Sequence, residues 1–127
     1  MTKLESQIED LEKAFNRLKE AAGLASTLIN QDATIQRFEF TFELAWKIMQ
    51  TITRENGIDV YGVKNIIREG AKLNLIDQPE IWFDFLKSRN LTVHTYKEEI
   101  ASAVYKKAKK FIPFVDDLLE RAREHIE

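Results

Sequence analysis

Ile35, Phe38, Phe42, Ala45, Met49 and Ile52 recur at alternating intervals of three and four residues. At about 100° per residue these six side chains fall on one side of an α-helix, in a run too long for a strand and too regular for a loop. Phe40, Leu44 and Ile48 gather on a second side, leaving Gln36, Glu39, Glu43, Lys47 and Gln50 as a narrow polar strip. A helix that is apolar on two sides needs two surfaces to pack against. One is the core of a helical bundle, and the other, over Phe40, Leu44 and Ile48, is expected to be a homodimer contact.

The flanking segments keep the same period. Leu4, Ile8, Leu11, Phe15, Leu18 and Ala22 predict a first helix that opens on a Thr2-x-x-Glu5 capping box and ends near Gly23. Asn30 or Asp32 is expected to start the second helix, and Asn56-Gly57 to stop it in a left-handed turn. Val63, Ile66, Ile67, Gly70 and Leu73 mark a short helix, and Asp77-Gln78-Pro79-Glu80 opens another, rich in Ile81, Trp82, Phe83, Phe85 and Leu86. From Ile100 to Ile126 one apolar stripe holds its phase across Pro113, which predicts a kinked helix or two nearly coaxial pieces. The expected architecture is all-α, an up-and-down four-helix bundle with a short additional helix, with residues 1–127 forming one domain.

Composition narrows the function classes. Cysteine is absent, which removes disulfides and thiolate sites. No apolar run approaches the roughly 20 residues needed to span a bilayer, and the charged start Met1–Gln7 lacks a signal-peptide core, so a cytoplasmic protein is expected. A net charge of −2 argues against a protein that coats nucleic acid, while leaving room for a local RNA groove. Lys106, Lys107, Lys109 and Lys110 read as a solvated helix face, followed by an acidic tail through Asp116, Asp117, Glu120, Glu124 and Glu127. Glu39 and Glu43, one turn apart, read as an exposed strip with a Glu43–Lys47 pair. Neither metal nor cofactor is expected.

Between the last two long helical patterns lies a polar stretch, Ser88 to Tyr96. Leu86, Arg89, Val93, Tyr96 and Ile100 stand at helical spacing, so an unbroken helix would turn Arg89 toward the core, where an unpaired guanidinium is costly. Thr95-x-x-Glu98 has capping-box spacing and predicts a break there. His94 would then stand just outside a helix start, where free amides and the dipole favour an anion and disfavour an imidazolium.

Arg89, the polar Asn90, His94 and Tyr96 spell Arg, four residues, His, one residue, Tyr, a pattern that resembles the HepT branch of the HEPN superfamily. Arg37–Lys47 resembles the second helix of that branch and Ile66–Ala71 its middle segment, so the likeness covers nearly the whole chain. One departure is Ser88, where many relatives carry an acidic residue before the arginine. The resemblance implies an all-helical homodimer acting as the metal-independent ribonuclease of a toxin–antitoxin pair. It also implies a cognate MntA-like nucleotidyltransferase that binds the toxin and silences it by AMPylation. Carried over by position, Arg89 and His94 would be catalytic and Tyr96 the modified hydroxyl.

The residue types suit that chemistry. RNA is cut without metal when a base withdraws the 2′-hydroxyl proton and a cation stabilises the phosphorane. His94 would be the base or acid, Arg89 the phosphate clamp, and Asn90 the group that positions phosphate or ribose. On a continuous helix Arg89 and His94 would point about 140° apart, so they converge only after a turn or across a twofold axis. The alternative is a non-catalytic substrate-binding subunit of a two-component nucleotidyltransferase, using the same groove.

Overall fold

The computed structural model describes residues 1–126 and is all-helical, with no strand among the described residues. Helix α1 (Lys3–Ala22) opens on the expected capping box, with Thr2 Oγ1 accepting the Glu5 N–H at 3.1 Å and the Glu5 carboxylate accepting the Thr2 N–H at 3.4 Å. Helix α2 (Leu28–Glu55) begins earlier than expected, because Thr27 is its cap and accepts the Asn30 N–H at 3.2 Å. Asn30 instead ties down the preceding turn, donating from Nδ2 to the Ala25 carbonyl at 2.8 Å. At the other end Gly57 takes φ +76°, the left-handed stop read from Asn56-Gly57.

The short helix α3 (Val63–Lys72) and helix α4 (Pro79–Asn90), with proline in its first turn, follow as expected. A 3₁₀ turn (Leu91–His94) ends α4, and α5 (Glu98–Arg123) completes the bundle of α1, α2, α4 and α5 with α3 as the added short helix. Pro113 lies inside α5, which runs through it as one helix. The proline costs roughly 3 kcal/mol through its lost hydrogen bond and ring clash. Burial of Phe111, Val115 and Leu118 on the same helix, each worth about 1.5–3 kcal/mol, offsets that cost. The stripe is buried from Val104 to Ala122, while Ile100 and Ile126 at its ends are only partly covered; Glu127 of the acidic tail lies outside the described residues.

Phe111 is the centre of the core. Its ring centroid lies 4.8 Å from Phe85, 5.3 Å from Phe38 and from Trp82, and 5.9 Å from Phe42, which joins α2, α4 and α5 through one aromatic cluster. Each such pair adds about 0.5–1.5 kcal/mol beyond its buried area. The six α2 positions from Ile35 to Ile52 all face this core, as their spacing requires. Ile48 corrects the sequence expectation: it is wholly buried inside the monomer and is unavailable to a second copy, whereas Phe40 and Leu44 stay half-exposed. The reason lies in the helix period: eight residues on from Phe40, Ile48 is carried about 80° round α2, to within about 40° of the buried Ile52. On the opposite flank Gly70 of α3 is set directly against Met49.

Candidate functional site

The polar stretch occupies the connection from α4 to α5. Arg89 does fall on an inward-turning position, and α2 supplies its partner: Nε donates to Glu43 Oε1 at 2.6 Å. The other oxygen of Glu43 accepts the Trp46 indole N–H at 3.1 Å. Both members of the ion pair are about 30% exposed, which shields the pair from full solvent screening and leaves the guanidinium reachable. Glu43 is therefore not paired with Lys47, as its spacing suggested, because the chain 46 residues further on brings a better donor to it.

One turn earlier on α2, Glu39 does the same for the 3₁₀ turn. The buried Thr92 hydroxyl lies 2.6 Å from Glu39 Oε2 and 2.8 Å from the Arg89 carbonyl, so its one proton is shared between them. The two carboxylates thus fix the motif from below, one through a side chain and one through the backbone turn that carries His94. Sequence reasoning missed both roles. Arg89 on an apolar stripe was the available signal, since a guanidinium at such a position requires a carboxylate on the helix facing it.

The Thr95-x-x-Glu98 box does not form. Lys97 is the cap residue of α5 without a side-chain bond, and the Thr95 hydroxyl donates back to the Thr92 carbonyl at 2.8 Å. The break is made by the 3₁₀ turn and by the Lys97 N–H donating to the His94 carbonyl at 3.1 Å, so His94 is set back from the helix start. Glu98 and Glu99 occupy the first turn of α5, where their charges suit the dipole.

His94 and Asn90 line one cleft of about 590 Å³ between α3 and α4, together with Lys64, Phe83, Leu86 and Lys87. Tyr96 is 76% exposed, its ring 6.2 Å from that of His94 in an edge-on arrangement. It borders a second depression, against the start of α2, with Thr92, Thr95 and Glu39. Arg89 lines neither cleft and is held on the α2 side, next to the shallow hollow formed by Phe40, Glu43 and Leu44. Within one chain the structure brings Asn90, His94 and Tyr96 together and turns Arg89 away from them.

An all-helical bundle with an Arg-x4-His-x-Tyr motif on the turn between its last two long helices is the class of protein that these observations define. Residues 6–124 match the family described as nucleotidyltransferase substrate binding protein like. The Haemophilus influenzae protein named "Probable ribonuclease HepT" is 37% identical over 95 residues, covering 71% of this chain; the chain spans about 65% of that relative's length. A crystal structure from Thermus thermophilus superposes with a TM-score of 0.83 at 35% identity, over 89% of this chain and 98% of the other. A Haemophilus influenzae structure described as the fold of a substrate-binding domain of a nucleotidyltransferase gives 0.80 at 29%, over 91% and 98%. The tri-AMPylated HEPN toxin of Shewanella oneidensis, in complex with MNT antitoxin, shares the fold at 0.81 and 18% identity, over 98% and 100%. This chain belongs to the nucleotidyltransferase substrate-binding-like family and is similar to HepT. No helix among the described residues is long and apolar enough to cross a membrane.

Proposed function

We propose that this protein is a metal-independent endoribonuclease toxin, active as a homodimer and silenced by a cognate MntA-like nucleotidyltransferase that adds AMP to Tyr96. The observation that carries the reading is the α4–α5 connection itself, where an accessible imidazole lines a cleft and an arginine is held ready by a carboxylate on the facing helix. His94 takes the 2′-hydroxyl proton, the 2′-oxygen attacks phosphorus, and the bond to the 5′-oxygen breaks with a proton returned to that leaving group. Charge on the phosphorane falls on a guanidinium. Because Arg89 faces α2 and His94 faces α3, the pair that meets one phosphate is supplied by two copies of the chain.

The exposed Tyr96 hydroxyl is open to adenylyl transfer from ATP, which forms an oxygen–phosphorus bond at the ring and releases pyrophosphate. The added phosphate would stand beside His94, whose ring is 6.2 Å away, and would repel an RNA phosphate. A cytoplasmic location agrees with such a pair. The test is cleavage of tRNA and mRNA by the purified protein in excess chelator. Loss of cleavage in Arg89→Ala and His94→Ala proteins with unchanged helical content supports the proposal, and full activity of His94→Ala overturns it.

A second reading has support in the Haemophilus influenzae structure described as a substrate-binding domain of a nucleotidyltransferase. Under it the chain is non-catalytic and presents substrate to its partner. It requires a stable hetero-complex and intact RNA after prolonged incubation with the chain alone.

A further inference from the structure

The cleft beside His94 carries more chemistry than cleavage requires. Lys64 Nζ lies 5.8 Å and Arg68 Cζ 5.1 Å from the centroid of the half-buried Phe83 ring, and Lys87 lines the same groove. Among the described residues none of these three cations has an acidic partner; Arg68 donates only to the neutral Asn65 side chain at 2.8 Å. Of the two carboxylates on the groove, Asp84 is neutralised by Lys107, which leaves Glu80 alone against Lys64 and Lys87, with Arg68 over the Phe83 ring beside them. In a chain of net charge −2 this surplus is local.

We propose that the α3–α4 groove seats one unpaired nucleotide of an RNA strand next to the scissile phosphate, its base against Phe83 and its flanking phosphates on Lys64, Lys87 and Arg68. The volume of about 590 Å³ falls within the range of sites that hold one small molecule. A flat aromatic ring flanked by cations is how sequence-tolerant single-strand sites are built, since every base has a π-face and every linkage a phosphate. An acidic peptide would satisfy the lysines and make no use of the ring. Asn90, on the same groove between Lys87 and His94, supplies both a donor and an acceptor to a ribose or base edge. The inference rests on the ribonuclease reading for the identity of the ligand, and the groove's own features supply the subsite.

The experiment measures binding of a short fluorescein-labelled oligouridylate to the full chain by anisotropy at several salt concentrations, with His94→Ala as background so that no probe is cut. Phe83→Leu is expected to weaken binding about tenfold with the salt dependence unchanged, as loss of one stacked base does. Lys64→Gln with Lys87→Gln is expected to flatten the dependence of log Kd on log salt by about 0.7 for each phosphate no longer neutralised. The lysine variants are at the surface and carry the test if Phe83→Leu does not fold. Unchanged affinity and slope in folded variants overturns the subsite, as does polyglutamate competing equally on the parent protein and Phe83→Leu. Cleavage by the His94-containing protein alongside unchanged binding in the variants removes only the subsite. Variant-sensitive binding with no cleavage by that protein removes only the ribonuclease reading.

Discussion

Glu43 on α2 and Arg89 at the end of α4, 46 residues apart in sequence, meet in a 2.6 Å charge-assisted hydrogen bond that uses Nε and leaves the two terminal nitrogens of the guanidinium for a ligand. Holding an arginine by one edge fixes its plane without neutralising its outer face. Glu43→Gln keeps the shape and removes the charge, so it is expected to cost about 1 kcal/mol of stability. The rate at saturating RNA should fall roughly ten- to a hundredfold, the order of loss that follows small misplacement of a catalytic group. Single-turnover cleavage with urea unfolding checks it. A fall in affinity alone, with the saturated rate intact, would assign Glu43 to binding and not to positioning.

Phe40 and Leu44 leave a shallow apolar hollow beside that ion pair, with Arg17 Cζ 5.4 Å above the Phe40 ring. If two copies meet there, the contact lies beside the Glu43–Arg89 pair of each. Leu44→Glu buries a charge in the contact and is expected to shift the protein to monomer in light scattering and to abolish cleavage, with little change in helicity. An unchanged dimer mass would move the interface elsewhere.

How much of this was legible beforehand depended on range. Helix α2 is a local pattern, and the positions from Ile35 to Ile52 could be read off spacing because a helix repeats whatever its neighbours do. Ile48 could not. It is wholly buried within one chain while Phe40 and Leu44 on the same flank stay half-exposed, and periodicity says that a side chain is apolar without saying what covers it. Thr95-x-x-Glu98 failed for a related reason, since α5 starts two residues later than that spacing needs, with Lys97 as its cap and Glu98 as its first residue. Arg89, His94 and Tyr96 stand out in the sequence as a motif, whereas the carboxylates that hold its turn, Glu39 and Glu43, were hidden in what looked like a solvent strip.

Gly70 touches Met49 so closely that a Cβ built on it would stand 2.9 Å from the methionine sulfur. Gly70→Ala would gain about 1 kcal/mol of helix propensity in α3 and lose about 1–3 kcal/mol to overpacking against a wholly buried side chain. The expected result is net destabilisation of about 1 kcal/mol in urea unfolding. Combining it with Met49→Ala should remove the clash, so the pair is expected to cost less than the sum of the two single changes. Additive costs would show that α3 yields without strain.

Arg121 on α5 clamps the segment that leads into α4. Its guanidinium donates to Asp77 Oδ2 at 2.7 Å and to the Asn74 carbonyl at 3.3 Å. The hydrogen bond from Arg121 is the main cause that holds the Asp77 carboxyl below the usual carboxylate range, with their charge attraction adding to it. Folded Asp77 therefore binds its proton less readily than the unfolded chain does. Between the two pKa values the unfolded state carries more protons, so stability rises with pH in that window; the contribution is complete above the unfolded value and lost as pH falls through the folded one. Because Asp77 is exposed, solvent screening keeps the contribution small, and the sharper readout is the titration itself. Carbon-detected NMR is expected to give Asp77 a midpoint below that of an ordinary aspartate, and Arg121→Ala should return it to the ordinary range. A midpoint that stays low without Arg121 would mean that another group on the surface holds the charge.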